Sequence, residues 1–346
     1  MQVDYIIVGF GLAGMAMAKV LEDYGHSFIV LEDSSQVSSR VAAGVFNPVI
    51  LKRFTPVWNA DEQLQNLFPF YQDLEKRLGN NYLTYFDTYK VFKNVEDQNN
   101  WFMACDNPLL EKYLNPKISK EPKKGVISYE GFGQVKGTGR VLIKKVLDDY
   151  IVYLKKKGLF LNISMNHEEL KLDGAGVNYR DIDAKKIVFA EGFGLKKNPF
   201  FSYLPLTGTK GEMLYIEAPG LKLTSQLKST LFLLPMKNNK YWVGATFNWT
   251  DKTVKATEKG RKELLEKLDT MIDVPYKVIS QFGGIRPTVK DRRPLVGVHP
   301  EYKNAIVFNG MGTRGVMIAP TIANQLYQHL ENKQPLPKEI DIQRFN

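Results

Sequence analysis

The chain opens on an unbroken apolar run at residues 5–8, the length of a buried strand. Gly9, Gly11 and Gly14 punctuate the turn that follows, and Ala13, Ala16, Val20, Leu21 and Tyr24 then recur on one side of a helix. A second apolar run, residues 28–31, ends at Glu32. Helical spacing returns at 59–78 through Leu64, Leu67, Phe68, Tyr71 and Leu74, interrupted by Pro69. Short aromatic runs between 82 and 102 then predict antiparallel strands around a polar turn at 96–100. Residues 140–157 form a clear amphipathic pattern, with lysines in the last turn and Gly158 as its stop. A strand at 159–163, a hairpin around Asp173-Gly174 and a buried strand at 186–190 follow. Residues 206–216, 227–235 and 241–247 read as extended, 256–270 as a helix, and 279–287 leads back out. The buried strand 305–308 and the glycine-rich passage 309–315 open a final helix at 316–330.

The opening pattern carries chemistry. Strand, glycine turn, helix, strand and acid form the dinucleotide-binding fingerprint in its required context. Gly9 makes the turn, Gly11 admits a pyrophosphate to the backbone, and Gly14 lets the helix sit close on the sheet. The helix start supplies free N–H groups to phosphate oxygens. Glu32, about 20 residues beyond the glycines, is placed to accept from a ribose diol, which disfavours a 2'-phosphate but leaves NAD and FAD open. In the loop 38–44, Ser39 and Arg40 can donate to phosphate or ribose, while Ala43 and Gly44 allow close approach. Gly192, just after a buried strand, and the passage 309–315 offer two more backbone approaches.

The whole chain limits the alternatives. Its 346 residues suffice for two domains, and 44% apolar content allows a large core. No apolar stretch approaches membrane-spanning length and no secretory leader is evident, so the expected address is cytoplasmic. Cys105 is the single cysteine, better suited to packing than to nucleophilic chemistry. The four histidines, His26, His167, His299 and His329, look peripheral, and no metal-ligand pattern stands out. The net charge of +10 comes with lysine clusters at 144–145, 155–157, 185–186 and 196–197. That charge reads as a solvated basic surface or as attraction for a polyanion such as tRNA.

With both glycine regions in view, the chain resembles the D-amino acid oxidase and glycine oxidase family of FAD enzymes nearly end to end. The resemblance rests on residues 9–14, Glu32, 39–44, 190–192, 205–212, 243–246, 284–287, 291–297 and 310–320. It implies an α/β, Rossmann-like FAD domain assembled from 1–60, 138–204 and 285–346. A mostly antiparallel substrate domain, from 61–137 and 205–284, would make the whole α+β. FAD would be held without covalent attachment. Gly9, Gly11, Gly14 and Glu32 would hold the adenosine diphosphate half, and Ser39, Arg40, Ala43, Gly44 and Gly192 would approach the phosphates and flavin. Gly312, Arg314, Gly315 and Val316 would lie at the flavin end. Arg286 matches the family arginine that pairs with a substrate carboxylate, against the plainer reading of an ion pair with Asp291. Phe46, Trp58, Tyr241, Trp242 and Phe247 are candidates for an aromatic pocket, with Trp58 and Tyr241 set beside Arg286 as catalytic candidates.

The implied reaction is oxidation of the C–N bond of a small amino acid or N-substituted glycine, by hydride transfer to flavin N5 and hydrolysis of the imine. The electron acceptor that reoxidises the flavin stays unidentified. Residues 291–297 and 312–320 are similar to one branch, the oxidase domain of the bacterial enzyme that removes carboxymethyl from carboxymethylaminomethyl-uridine in tRNA. In that branch the partner would be tRNA. A flavin-binding protein without turnover is the remaining alternative.

Overall fold

The computed structural model describes residues 1–121, 123–128, 130–174 and 176–345. Gln2–Val8 lies inside an eight-stranded sheet, paired in parallel with Phe28–Leu31 on one side and Ile182–Phe189 on the other. Ile182–Phe189 pairs in parallel with Ala305–Asn309 and antiparallel with Val177–Tyr179, one arm of the expected hairpin. Central parallel strands are covered on both faces, which is why their sequences read as unbroken apolar runs. Ile7 and Val30 face one core with helices Leu12–Asp23, Ile143–Lys156 and Gly315–Asn332. Ile6, Val8 and Ile29 face the other, with Phe189, Phe201 and Leu204.

A seven-stranded sheet forms the second layer system. Its order is Lys277–Arg286, Thr209–Glu217, Lys240–Gly244, Phe232–Pro235, Gln226–Lys228, Thr88–Val91 and Phe132–Val135. All neighbours are antiparallel except Gln226–Lys228 with Thr88–Val91. Side chains alternate across it. Leu214, Ile216, Leu233, Tyr241 and Val243 pack with Leu264 and Leu268 of helix Glu258–Asp269. Met213, Leu234 and Trp242 occupy the opposite face, turned towards the nucleotide fingerprint.

Three elements depart from the pattern reading. Residues 95–105 form a helix, Val95–Cys105, where strands and a polar turn were expected; the Asn94 side chain accepts from Asp97 N at 2.9 Å and starts it. Arg140 belongs to a short strand, Gly139–Val141, and the amphipathic helix begins only at Ile143. The run 227–235 is two strands folded on each other. Helix Ala60–Leu78, assigned by expectation to the first insertion, packs through Leu64, Leu67, Tyr71 and Leu74 in the core that also holds Ile7 and Val30.

Glu22 ties three of these helices together. Its carboxylate accepts from Arg77 at 2.6 Å, Tyr150 at 2.9 Å, Tyr153 at 2.7 Å and Lys157 at 2.8 Å. Burial alone would raise its pKa, but the Lys157, Tyr153, Arg77 and Tyr150 hydrogen bonds win and hold it near 2. A carboxyl depressed by folding stabilises fully above its ordinary pKa of 4.5 and loses that contribution as pH falls towards 2. Glu22→Gln is therefore expected to cost about 2 kcal/mol at neutral pH and much less near pH 2, measured by denaturant melts across that range.

Candidate active site

The strand-to-helix turn is built as its glycines demand. Gly9 has φ +94°, and Gly9 N donates to Leu31 O at 2.8 Å, which closes the first two strands over the turn. A Cβ on Gly14 would sit 1.9 Å from Gly9 O, so only glycine lets helix Leu12–Asp23 rest against that turn. Ser39 Oγ accepts from Leu12 N at 3.2 Å and thereby reaches the helix N-terminus. Glu32 accepts from Phe10 N and, at 2.6 Å, from Ser34 N. Burial pushes its carboxyl upward, against those two backbone donors.

These groups open into a cavity of about 1090 Å³ that runs between the two sheets. Gly9, Gly11, Glu32, Ser39, Ala43, Gly44, Gly192, Gly312, Arg314, Gly315 and Val316 all line it. Three of its lining groups, Asn47 Nδ2, His167 Nε2 and Trp242 Nε1, are buried without a hydrogen-bond partner among the described residues. Buried polar groups are normally paired. Unpaired polar groups spread along a cavity of dinucleotide size, with an anion-receptive helix start and a ribose-receptive acid at one end, fit a bound dinucleotide and a small second ligand. Among the described residues no group of His, Cys, Asp and Glu could hold a metal ion, and no helix is long and apolar enough to cross a membrane.

Arg286 ends the edge strand of the seven-stranded sheet and enters the cavity at its other end. Its Nη1 donates to Thr246 O at 3.3 Å, and its guanidinium stands 4.6 Å from the Phe247 ring centroid. Gly211 on the neighbouring strand makes room, since a Cβ there would meet an Nη atom at 2.0 Å. Arg286 is half-buried, and desolvation pushes its pKa down to about 10, so it stays charged at neutral pH. No carboxylate pairs with it among the described residues; Asp291, the partner it could have taken, binds Arg344 at 3.0 Å. Arg314 likewise has no ion-pair partner there, and burial followed by repulsion from Arg292 lowers its pKa. The loop carrying Lys252 to Lys255, which also lines the cavity, is pinned by the buried Lys210, whose Nζ donates to Asp251 at 2.5 Å and to Lys255 O at 2.5 Å.

Several sequence candidates lie elsewhere. Tyr241 is on the wrong face of its strand: it is buried under helix Glu258–Asp269 with its hydroxyl donated to Leu221 O, and its neighbour Trp242 faces the cavity. Trp58 donates Nε1 to Glu339 at 2.7 Å and stacks under Arg293, away from the cavity lining. Arg40 turns outward to Asp148 and anchors its short helix to Ile143–Lys156. Gly14 acts underneath the turn rather than on the cavity wall, and Phe46 is core. Cys105 belongs to a separate core, where burial and then Asp106 push its thiol up to about 11. Of the histidines, His167 does line the cavity, 3.7 Å from Glu191. Lys228, also in the lining, had no sequence signal beyond an ordinary strand lysine.

Comparison with known proteins agrees with this construction. The chain aligns with the glycine oxidase of Bacillus subtilis (strain 168) at 28% identity over 161 residues, 44% of this chain and 43% of that protein. It aligns with the tRNA 5-methylaminomethyl-2-thiouridine biosynthesis bifunctional protein MnmC of Idiomarina loihiensis at 27% over 155 residues, 41% of this chain and 25% of that one. These matches thus span under half the length of either relative. In fold it is similar to the crystal structure of glycine oxidase from Bacillus cereus ATCC 14579, with TM-score 0.74 and 18% identity over 96% of both chains. Iminodiacetate oxidase from Chelativorans sp. BNC1 superposes with TM-score 0.78 at 16% identity, over 97% of each. The model of the DAO family, described as FAD dependent oxidoreductase, matches residues 4–328, and the chain belongs to that family.

Proposed function

We propose that the protein oxidises the C–N bond of a small amino acid or N-substituted glycine, using non-covalently bound FAD. The observation that carries this reading is Arg286, a desolvated guanidinium without an anionic partner among the described residues, in the lining of a cavity that also takes in the nucleotide turn. A rigid two-pronged donor of this kind matches a planar carboxylate. Gly9, Gly11 and Glu32 would take the adenosine diphosphate half, with Ser39, Ala43, Gly44 and Gly192 beyond it and Gly312, Arg314, Gly315 and Val316 at the isoalloxazine end. FAD, when bound, supplies the two-electron acceptor. Arg286 would fix the carboxylate, while Met213, Phe232 and Trp242 wall the space beside it and favour the neutral amine by excluding water.

A second reading, oxidation of a carboxymethylaminomethyl group on tRNA, is favoured by six lysines in the cavity lining: Lys52, Lys196, Lys197, Lys228, Lys252 and Lys255. The relationship to the MnmC proteins points the same way. Anaerobic flavin bleaching separates the two. Glycine, sarcosine, D- and L-amino acids and wobble-modified tRNA would each be mixed with the purified yellow protein. Bleaching by a free amine is the expected result. Bleaching by tRNA alone would replace the first reading with the second, and a flavin that none of them reduces would leave a binding protein without turnover.

A further inference from the structure

Lys228 is a half-buried cation for which oxidation of a small amine has no task. It shares the cavity-facing side of the seven-stranded sheet with Arg286, but stands on Gln226–Lys228, with three strands between the two. Its Nζ donates to Ser229 O at 2.8 Å and Thr230 O at 3.0 Å, and lies 4.7 Å from the Phe232 ring centroid. An ammonium has three donors, so one is left over. No carboxylate faces it among the described residues. The charged groups around it are Lys90, Lys93, Lys52 and Lys267; Lys90 pairs with Asp97 and Lys267 with Glu263, while Lys52 and Lys93 form no ion pair within 4 Å among the described residues. Burial first, and then these lysines, push the Lys228 ammonium down to about 8. Cations gathered at a half-buried site repel one another, and an anion received among them relieves that repulsion. Lys52 lines the same end of the cavity.

We propose that the substrate carries a second anionic group, remote from its amino-acid carboxylate, which Lys228 and Lys52 receive. This rests on the reading of Arg286 as the carboxylate site and narrows the substrate to an amino acid or N-substituted glycine whose far end carries a second carboxylate or phosphate. Register sets the length. Lys228 is in line with Phe232, Gly244 and Met213 across the sheet, and the Arg286 guanidinium lies over Gly211, one strand beyond Gly244 and two residues along from Met213. Strand spacing and rise put those backbone points roughly 15 Å apart, and an anion seated about 3 Å inside each cation leaves the two anions on the order of 10 Å apart. The apolar Met213, Phe232 and Trp242 between the two ends suit a methylene chain.

The test uses the holoprotein and redox-inert ligands, read by perturbation of the oxidised flavin spectrum. Glutarate, adipate, suberate and ω-phosphonocarboxylates of matching length are titrated against monocarboxylates such as octanoate, with wild type, Lys228→Met and Lys228→Arg. Wild type is expected to bind suberate at least about tenfold more tightly than octanoate, with little preference for glutarate over its monocarboxylate; tenfold equals about 1.4 kcal/mol. The methionine variant should lose that preference and keep octanoate affinity, and the arginine variant should retain most of it. The preference should also fade above about pH 8 as the ammonium deprotonates. Tighter binding of the phosphonate arm than the carboxylate arm identifies the distal group as phosphate, and the reverse identifies it as carboxylate. An unchanged suberate preference in Lys228→Met overturns the proposal. Failure of every carboxylate to perturb the flavin, or perturbation that survives Arg286→Met, would instead refute the Arg286 reading beneath it.

Discussion

Arg286→Met should leave a yellow, folded protein whose flavin is reduced 30-fold to several-thousand-fold more slowly by any carboxylate-bearing amine at subsaturating concentration. That range corresponds to the 2–5 kcal/mol lost when one partner of a buried charge pair is truncated. Methionine keeps most of the stem and removes the fork, so the contact with Phe247 partly survives and only the Thr246 O acceptor is left unmade. The guanidinium has no ion pair among the described residues to lose, and for that reason the fold should tolerate the change. Arg286→Lys restores charge without the bidentate geometry and should recover only part of the rate. The measurement is the anaerobic rate of bleaching against substrate concentration, with bound FAD quantified beforehand. A rate equal to wild type, with FAD retained, would remove the carboxylate role.

The nucleotide end of the site was legible because its parts are neighbours in sequence. Gly9, Gly11, Gly14 and Glu32 act through backbone geometry within one strand–helix–strand unit, and a local pattern reports local geometry. The substrate end is assembled from strands brought together by register. Arg286 was reachable only through a resemblance, and its setting depends on Gly211 and Phe247 from other segments. Tyr241 and Trp242 show the difficulty in one dipeptide. Both are aromatic, and strand parity sends one to helix Glu258–Asp269 and the other to the cavity. Alternation within 240–244 is visible in sequence, but which face is wet depends on the layer stacked above it. Arg40 and Trp58 are placed by a related effect. Arg40 reads as a phosphate donor and Trp58 as a pocket aromatic, and each is held by a partner, Asp148 or Glu339, that no local pattern announces.

Gly14→Val should give a protein largely without flavin and less stable by several kcal/mol. The added Cβ would stand 1.9 Å from Gly9 O and 2.9 Å from Gly9 C, both backbone atoms that cannot rotate aside. Overpacking against side chains typically costs about 1–3 kcal/mol, and a clash with backbone exceeds it because the helix must move as a unit. Helix Leu12–Asp23 packs against Gly315–Asn332 and contributes Met15, Ala16 and Met17 to the main core, so displacing it opens that core. The same shift carries the helix N-terminus away from Ser39 and from the phosphates it would receive. Gly11→Ala supplies the contrast: its Cβ would meet Ser39, the Oγ at 3.0 Å and the Cβ at 3.8 Å, side-chain atoms that can give way where backbone cannot. That variant should melt close to wild type while binding FAD more weakly, since the methyl narrows the approach to the turn. Thermal melts of both, with and without added FAD, separate the two glycines. If Gly14→Val melts with wild type and keeps its colour, the helix does not depend on that contact, and the packing of this turn has been misread.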